Sequence, residues 1–332
     1  MMKHVLTAFC ILVFLAKDVM AAEPLPTLVF NQKIDHFDTR NSKTFEHRYW
    51  INSSFAEKNK KDAPVLYRLC GEGDCTIDFQ EDWTIEFAKI LKAHIVYVEH
   101  RYYGKSQPFS DLSNAHLRYL TVENALADFY DLQKNLQKYF KGSWIAVGGS
   151  YSGYLSAAYR MKYPEMVKGA LASSAPIKAG LTVEAPSLYY TEISQPTSWE
   201  NYGEFGARQW TYQACTEIGY WLGDQLPSDA DCRSVFGDDV KLADKKDINH
   251  KYYYRYLSNH TDAPSNILFT YGEKDVFTKM GLDANENQNS KIEIIVITNG
   301  EHHSDLNYKD SSEAITKARE RFIELARQWI AE

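Results

Sequence analysis

The feature that most constrains this chain is an alternation. Short, almost wholly apolar runs recur, with amphipathic stretches set between them. Ala63–Leu69, His94–Glu99, Ser143–Gly148, Gly169–Ser173, Ile267–Thr270 and Ile292–Ile297 each read as a buried strand. Trp83–Leu91, the stretch from Thr121 to Tyr139, Tyr151–Tyr163 and Ala314–Ala331 carry helical spacing. Thr121 suits an N-cap, and Pro164 stops the third of these helices. Strands without internal polar alternation, separated by helices, predict a mostly parallel sheet covered on both faces. Two further β-rich runs, Leu28–Asn31 and Phe45–Ile51, precede it. The stretch from Pro186 to His260 breaks the rhythm and is rich in Tyr, Trp and polar residues. It reads as an insertion over the sheet, so the α/β core is expected in two parts, residues 22–185 and 261–332, around an insertion at 186–260.

The N-terminus reads as an address. Met1–His4 is basic, Val5–Ala16 is an apolar run short for a membrane span, and Val19-Met20-Ala21 offers small residues for cleavage. A signal peptide over residues 1–21 is therefore expected, with no membrane span left after it. The 332 residues, 44% apolar and 24% charged, are a globular composition. A net charge of −7 without a basic run argues against a nucleic-acid partner. Export makes disulfides the expected state of Cys70, Cys75, Cys215 and Cys232. Four cysteines allow three pairings, of which the local one, Cys70–Cys75 with Cys215–Cys232, is preferred. Neither pair has the short spacing of a metal knuckle, so no metal is expected. The triplets starting at Asn52 and Asn259 are sequons.

Chemistry concentrates in Gly148-Gly149-Ser150-Tyr151-Ser152-Gly153, between a strand and a helix. That is the setting of a nucleophile elbow, although Ser152 stands where G-x-S-x-G ends in glycine. A serine needs a base and the base an orienting carboxylate, each in a loop after a later strand. Asp275 follows the Ile267 strand, with Glu273 as its neighbouring competitor. His302 and His303 follow the Ile292 strand. Histidines 36, 47, 94, 100, 116, 250 and 260 all precede Asp275 and do not fit the order Ser, acid, His. The Tyr151 N–H and the Gly71-Glu72-Gly73 loop are the candidate oxyanion donors.

Further segments carry a resemblance. Glu99-His100-Arg101-Tyr102-Tyr103-Gly104-Lys105-Ser106, Leu117–Thr121, the Ser150 segment through Ile177, Trp210–Glu217 and His302-His303-Ser304-Asp305-Leu306 resemble the serine carboxypeptidase S28 family. The resemblance runs from about Phe30 to the C-terminus. It implies an α/β-hydrolase fold, with Ser150 as nucleophile, Asp275 as acid and His302 as base. It also implies a secreted or endolysosomal peptidase that often cuts after proline. Three departures stand out. Pro176 and Trp210 are only 34 residues apart, so most of the family's inserted helical domain is missing. Asp-Pro-Trp of the family is Asp275-Val276-Phe277 here, and Gly-Asn-Glu-Gly-Asp is Cys70-Gly71-Glu72-Gly73-Asp74.

The expectation is an exported serine exopeptidase acting through an acyl-enzyme, without cofactor, with a reduced cap and peptide substrates. It would be secreted or lysosomal or vacuolar, and periplasmic in a bacterium. Proline or small apolar residues would be favoured before the cut, and a homodimer is compatible with the reading. Glu72, Tyr154, Trp210 and Phe277 are candidates for the substrate pocket, by nearness to the motifs. The alternatives are an esterase or lipase on the same triad, and a catalytically silent binding relative.

Overall fold

Strands buried on both faces need cover above and below the sheet, and here they lie side by side. In a computed structural model of the chain, eight strands among the described residues form one sheet. They are β1 (Leu28–Lys33), β2 (Thr44–Asn52), β3 (Val65–Leu69), β4 (His94–Val98), β5 (Trp144–Gly149), β6 (Gly169–Ser173), β9 (Ile267–Gly272) and β10 (Ile292–Ile297). The two-residue β7 (Thr182–Val183) and β8 (Trp221–Leu222) pair apart from it. The described residues are 24–57, 60, 62–77, 79, 82–180, 182–183, 206–219, 221–222 and 228–332. The expected signal peptide and much of the first half of the insertion lie outside them.

The sheet order is β1-β2-β4-β3-β5-β6-β9-β10. Every neighbour from β4 to β10 is parallel, while β2 runs antiparallel to both β1 and β4. The register puts Gly149 beside Ser173, and Ser173 beside Thr270. The ends of β5, β6 and β9 therefore reach one edge together.

Alternate residues of each strand enter different cores. Val65, Tyr67 and Leu69 face one core with Trp144 and Ala146, while Leu66, Ile145 and Val147 face the other. Helices α2 (Val122–Leu136) and α3 (Tyr151–Lys162) cover the first face. Helices α1 (Thr84–Leu91) and α8 (Glu313–Ala331) cover the second. Thr121 caps α2 as expected, its hydroxyl accepting the Asn124 N–H at 3.1 Å. Helix α3 ends at Lys162, leaving Tyr163 outside it, because a residue preceding proline is disfavoured in the helical region.

The described part of the insertion holds four short helices: α4 (Ala207–Gln213), α5 (Asp229–Phe236), α6 (Lys245–Lys251) and α7 (Tyr253–Leu257). A π-turn, Ala214–Ile218, follows α4. Trp210, Ile218, Tyr253 and Tyr256 join the first core. These helices thus share the hydrophobic core of the sheet. Both disulfides take the local pairing, Cys70–Cys75 and Cys215–Cys232, with Cα separations of 5.5 and 5.9 Å.

Candidate active site

The elbow is built by crowding. Ser150 adopts φ 58°, ψ −132°, a backbone region that L-residues seldom occupy. Its N–H donates to Ser173 O at 2.8 Å, and its carbonyl accepts the Tyr154 N–H at 3.1 Å. A Cβ on Gly148 would meet Ser152 O at 2.2 Å, and one on Gly153 would meet Ser173 O at 2.6 Å. Glycine is therefore required at both positions. The serine in place of the motif's last glycine is accommodated by hydrogen bonds. Ser152 Oγ accepts from Arg68 Nη1 at 2.6 Å and donates to Leu69 O. It ties the first turn of α3 to the end of β3.

Asp275 leads out of β9 as the cap of a short 3₁₀ turn, accepting the Phe277 N–H at 2.9 Å. His302 lies in the loop after β10. Its Nδ1 sits 3.0 Å from each Asp275 oxygen. Burial pushes the Asp275 pKa up, but hydrogen bonds and charge from His302, with help from Ser174 and Phe277 N–H, outweigh it. The net shift is downward, so the carboxylate stays ionised. Among the described residues, no hydrogen bond joins the Ser150 hydroxyl to His302; such bonds commonly tighten only in the substrate complex.

His303 is placed differently. Its backbone N–H donates to Ser174 Oγ at 2.8 Å, and its ring lies 4.5 Å from that of His302. Burial, with the charges of His302 and Arg68, lowers its pKa to about 4, so it is neutral near pH 7. The loop is held from below. Asp305 accepts hydrogen bonds from Ser173 and Thr270, on β6 and β9. Buried Arg319 on α8 donates to the carbonyls of Asp305, Ser304 and Asn307.

Ser150, His302 and His303 line one cavity of about 330 Å³, together with Arg68, Ser152 and the loop Cys70–Cys75. Gly71, Glu72 and Gly73 thus all face it. A larger cleft of about 630 Å³, with Arg40, Lys43 and Arg118 in its wall, contains none of the candidate residues. Chemistry, not volume, selects the smaller one.

Tyr154 and Trp210 do not line the cavity, contrary to expectation. Tyr154 is one turn along α3 from the elbow, and its ring packs between Tyr151 and Tyr252 inside the core. Trp210 is buried edge-on against Tyr151, 5.4 Å between centroids. For Tyr154 nearness in sequence misleads because α3 turns that face towards the insertion, and Trp210, on the insertion's Ala207–Gln213 helix, packs onto the same face. Phe277 lies over the His302 ring, at 4.4 Å, and does not line the cavity wall. Arg68, Asp82, Asp305 and Arg319 were not anticipated. Arg68 had a signal, a lone charge in the apolar run Val65–Leu69, and Asp82 is its buried partner. Asn52 closes β2 and Asn259 lies exposed beyond α7.

The comparisons with known proteins bear on the family and the fold. A region of human lysosomal Pro-X carboxypeptidase is 46% identical over 167 residues, covering 47% of this chain and 33% of that protein. Prolyl carboxy peptidase like protein 5 of Caenorhabditis elegans is 41% identical over 256 residues, 72% of this chain and 47% of that protein. The matched regions thus span one third to one half of these relatives. Among solved structures, an esterase of Pyrobaculum calidifontis superposes with a TM-score of 0.50 at 15% identity, over 93% of this chain and 87% of the other. That likeness concerns the fold, which is α/β-hydrolase. The model of serine carboxypeptidase S28 matches residues 32–185 and 181–322, and with a match of that extent the chain belongs to the serine carboxypeptidase S28 family.

Proposed function

We propose that this chain is a serine peptidase that cleaves peptide bonds through an acyl-enzyme. Ser150 Oγ attacks the scissile carbonyl. His302 takes the serine proton and returns it to the leaving amine, and Asp275 holds the imidazole in the required tautomer. The Tyr151 N–H and the Gly71–Gly73 loop stabilise the oxyanion. One observation carries this reading. A histidine held symmetrically by an ionised carboxylate shares a cavity with a serine in a strained elbow.

The finer reading is exopeptidase action with proline or small apolar residues favoured before the cut, in a secreted or lysosomal setting. Family membership, the two cystines and the lysosomal Pro-X carboxypeptidase relatives support it. Among the described residues no helix is long and apolar enough to cross a membrane. A fluorophosphonate probe followed by a peptide-library profile tests both levels. Labelling at Ser150 with cleavage after proline supports the proposal. Labelling with turnover of acyl esters alone would move the assignment to an esterase, and no labelling would leave a binding protein.

A further inference from the structure

The loop Gly71–Asp74 forms one wall of the cavity, and its position against the elbow is close. A Cβ on Gly71 would lie 3.3 Å from the Ser152 backbone nitrogen. The loop is a continuation of β3, with the Cys70 N–H donating to Val98 O at 2.9 Å. Beyond that point it leaves the sheet and needs other anchors. The structure supplies them from β2 and from the end of β4.

Glu99 is fully buried. Its carboxylate receives Arg48 in a two-pronged contact, Nε to Oε2 at 2.8 Å and Nη2 to Oε1. It also accepts the N–H groups of Lys105 (3.1 Å) and Ser106 (2.9 Å), the Ser106 hydroxyl (2.7 Å), and the Cys75 N–H (3.4 Å). Cys75 closes the cavity loop through its disulfide. Arg48 Nη2 then reaches across to Asp74 Oδ2 at 3.2 Å, and its guanidinium lies 5.0 Å from the Trp50 ring centroid. One cation thus bridges a carboxylate of the sheet and a carboxylate of the cavity wall. A buried carboxylate that used its capacity only for folding would not need its cation to carry a second contact onto the loop. A guanidinium can serve both acids because its donors are spread over a rigid fork.

We propose that Arg48 and Glu99 are positioning residues that set the Gly71–Asp74 loop against Ser150 through Asp74 and Cys75. The loop's backbone donors then meet the developing oxyanion without reorganising. The inference rests on the Ser150 reading above. Neither residue touches substrate. Their effect is exerted on the transition state, since the loop's N–H groups matter most when charge appears on the carbonyl oxygen.

The test uses the full chain and the kinetics of covalent labelling by a fluorophosphonate, which resolve a maximal rate (kinact) from a binding constant (KI). Arg48→Met should lower kinact about 100-fold, the scale of an ångström of misplacement. KI should stay within about threefold, because ground-state binding does not depend on the oxyanion donors. Arg48→Lys, which cannot fork between two carboxylates, should lose about tenfold in kinact. Asp74→Asn, on a half-exposed side chain, should also lose about tenfold and should fold normally. The double variant Arg48→Met with Asp74→Asn should be no worse than Arg48→Met alone, because both act through one contact. A folded Arg48→Met with kinact within twofold of wild type would overturn the clamp. So would a change confined to KI, or losses that multiply in the double variant. If Arg48→Met does not fold, Asp74→Asn and Arg48→Lys decide, and unchanged kinact in both overturns the proposal. Failure of the wild-type chain to label at Ser150 overturns the nucleophile reading, and the clamp with it.

Discussion

The strand ends that carry Ser150, Asp275 and His302 and the inserted helices between β6 and β9 are held by different forces. At the strand ends, polar groups do the holding. Asp305 is bonded to Ser173 and Thr270, Arg319 to three loop carbonyls, and Ser152 to β3. The insertion adds aromatic packing and one cross-link to its hydrogen bonds, among them Gln213 Nε2 to Tyr151 OH at 2.7 Å and Arg208 Nε to Leu112 O at 3.0 Å. Trp210, Tyr253 and Tyr256 enter the main core, and Cys215–Cys232 ties the π-turn to α5. Directed hydrogen bonds fix atoms to within tenths of an ångström, which a proton relay needs. Apolar packing and a disulfide supply free energy with less directional demand. The difference predicts that damage to one region should separate from damage to the other, activity falling at the strand ends and stability at the insertion.

The sharpest break is at Ser150. Ser150→Ala should lower turnover by about four to six orders of magnitude while leaving the melting curve nearly unchanged. Turnover of the purified variant, beside its thermal melt, checks this. Near-normal activity would remove Ser150 from its role.

His302 and His303 divide the same loop. His302→Ala should approach the Ser150→Ala loss, because it empties the position beside Asp275. His303→Ala should cost far less, about tenfold, since its ring supports the first histidine and its backbone bond to Ser174 survives. The opposite ranking in turnover would transfer the base to His303.

The insertion should answer in stability. Cys215→Ser with Cys232→Ser opens a cross-link of sequence separation 17, worth roughly 3 kcal/mol in the chain-entropy model. Denaturant unfolding should register that loss with kcat within a few-fold of wild type. An equal loss of kcat would mean that the two regions are coupled.

A pH-dependent effect sharpens the contrast. Glu217 of the π-turn accepts the Val122 N–H at 3.1 Å, at the start of α2. Burial pushes its pKa up to about 7, with the Val122 bond opposing. The folded value exceeds the ordinary 4.5, so the native state holds this proton more tightly than the unfolded chain. Its stabilising contribution is complete below pH 4.5 and is lost as pH rises through 7. Relative to Glu217→Gln, the wild type should therefore lose on the order of 2–3 kcal/mol between pH 4 and 8. Parallel stability curves for the two proteins would show that the carboxyl does not titrate in that window.

The smallest effect concerns selectivity. Phe277 packs on the His302 ring. Phe277→Trp should therefore change kcat/KM by about the same factor for proline and for other apolar residues before the cut, because its ring bears on His302 and not on the cavity wall. A change in the ratio of paired kcat/KM values beyond about tenfold would place Phe277 against the substrate instead.

Much of this architecture was legible in the order of residues. Strands buried on both faces have no polar alternation, so Val65–Leu69, Gly169–Ser173 and Ile267–Gly272 announce a parallel sheet. The elbow and its two later loops are local signals, each written within a few residues. The short helices α5 and α6 gave no such signal, because seven or eight residues hold too few turns to establish a period.

What the sequence determined by itself was therefore the order of the core strands and their covering helices and the three residues proposed to do the chemistry, while among the three cysteine pairings it favoured the local one. Only the tertiary structure decided that Tyr154 and Trp210 turn inward, that Ser152 is fastened to Arg68, and that Arg48 spans Glu99 and Asp74. Those outcomes depend on contacts between residues 26 to 98 positions apart, from Arg48 with Asp74 to Tyr154 with Tyr252. Local propensity decides whether a segment is helix or strand. Which face of α3 is buried, and which carboxylate a guanidinium finds, are settled when the sheet closes and brings distant segments within hydrogen-bond range.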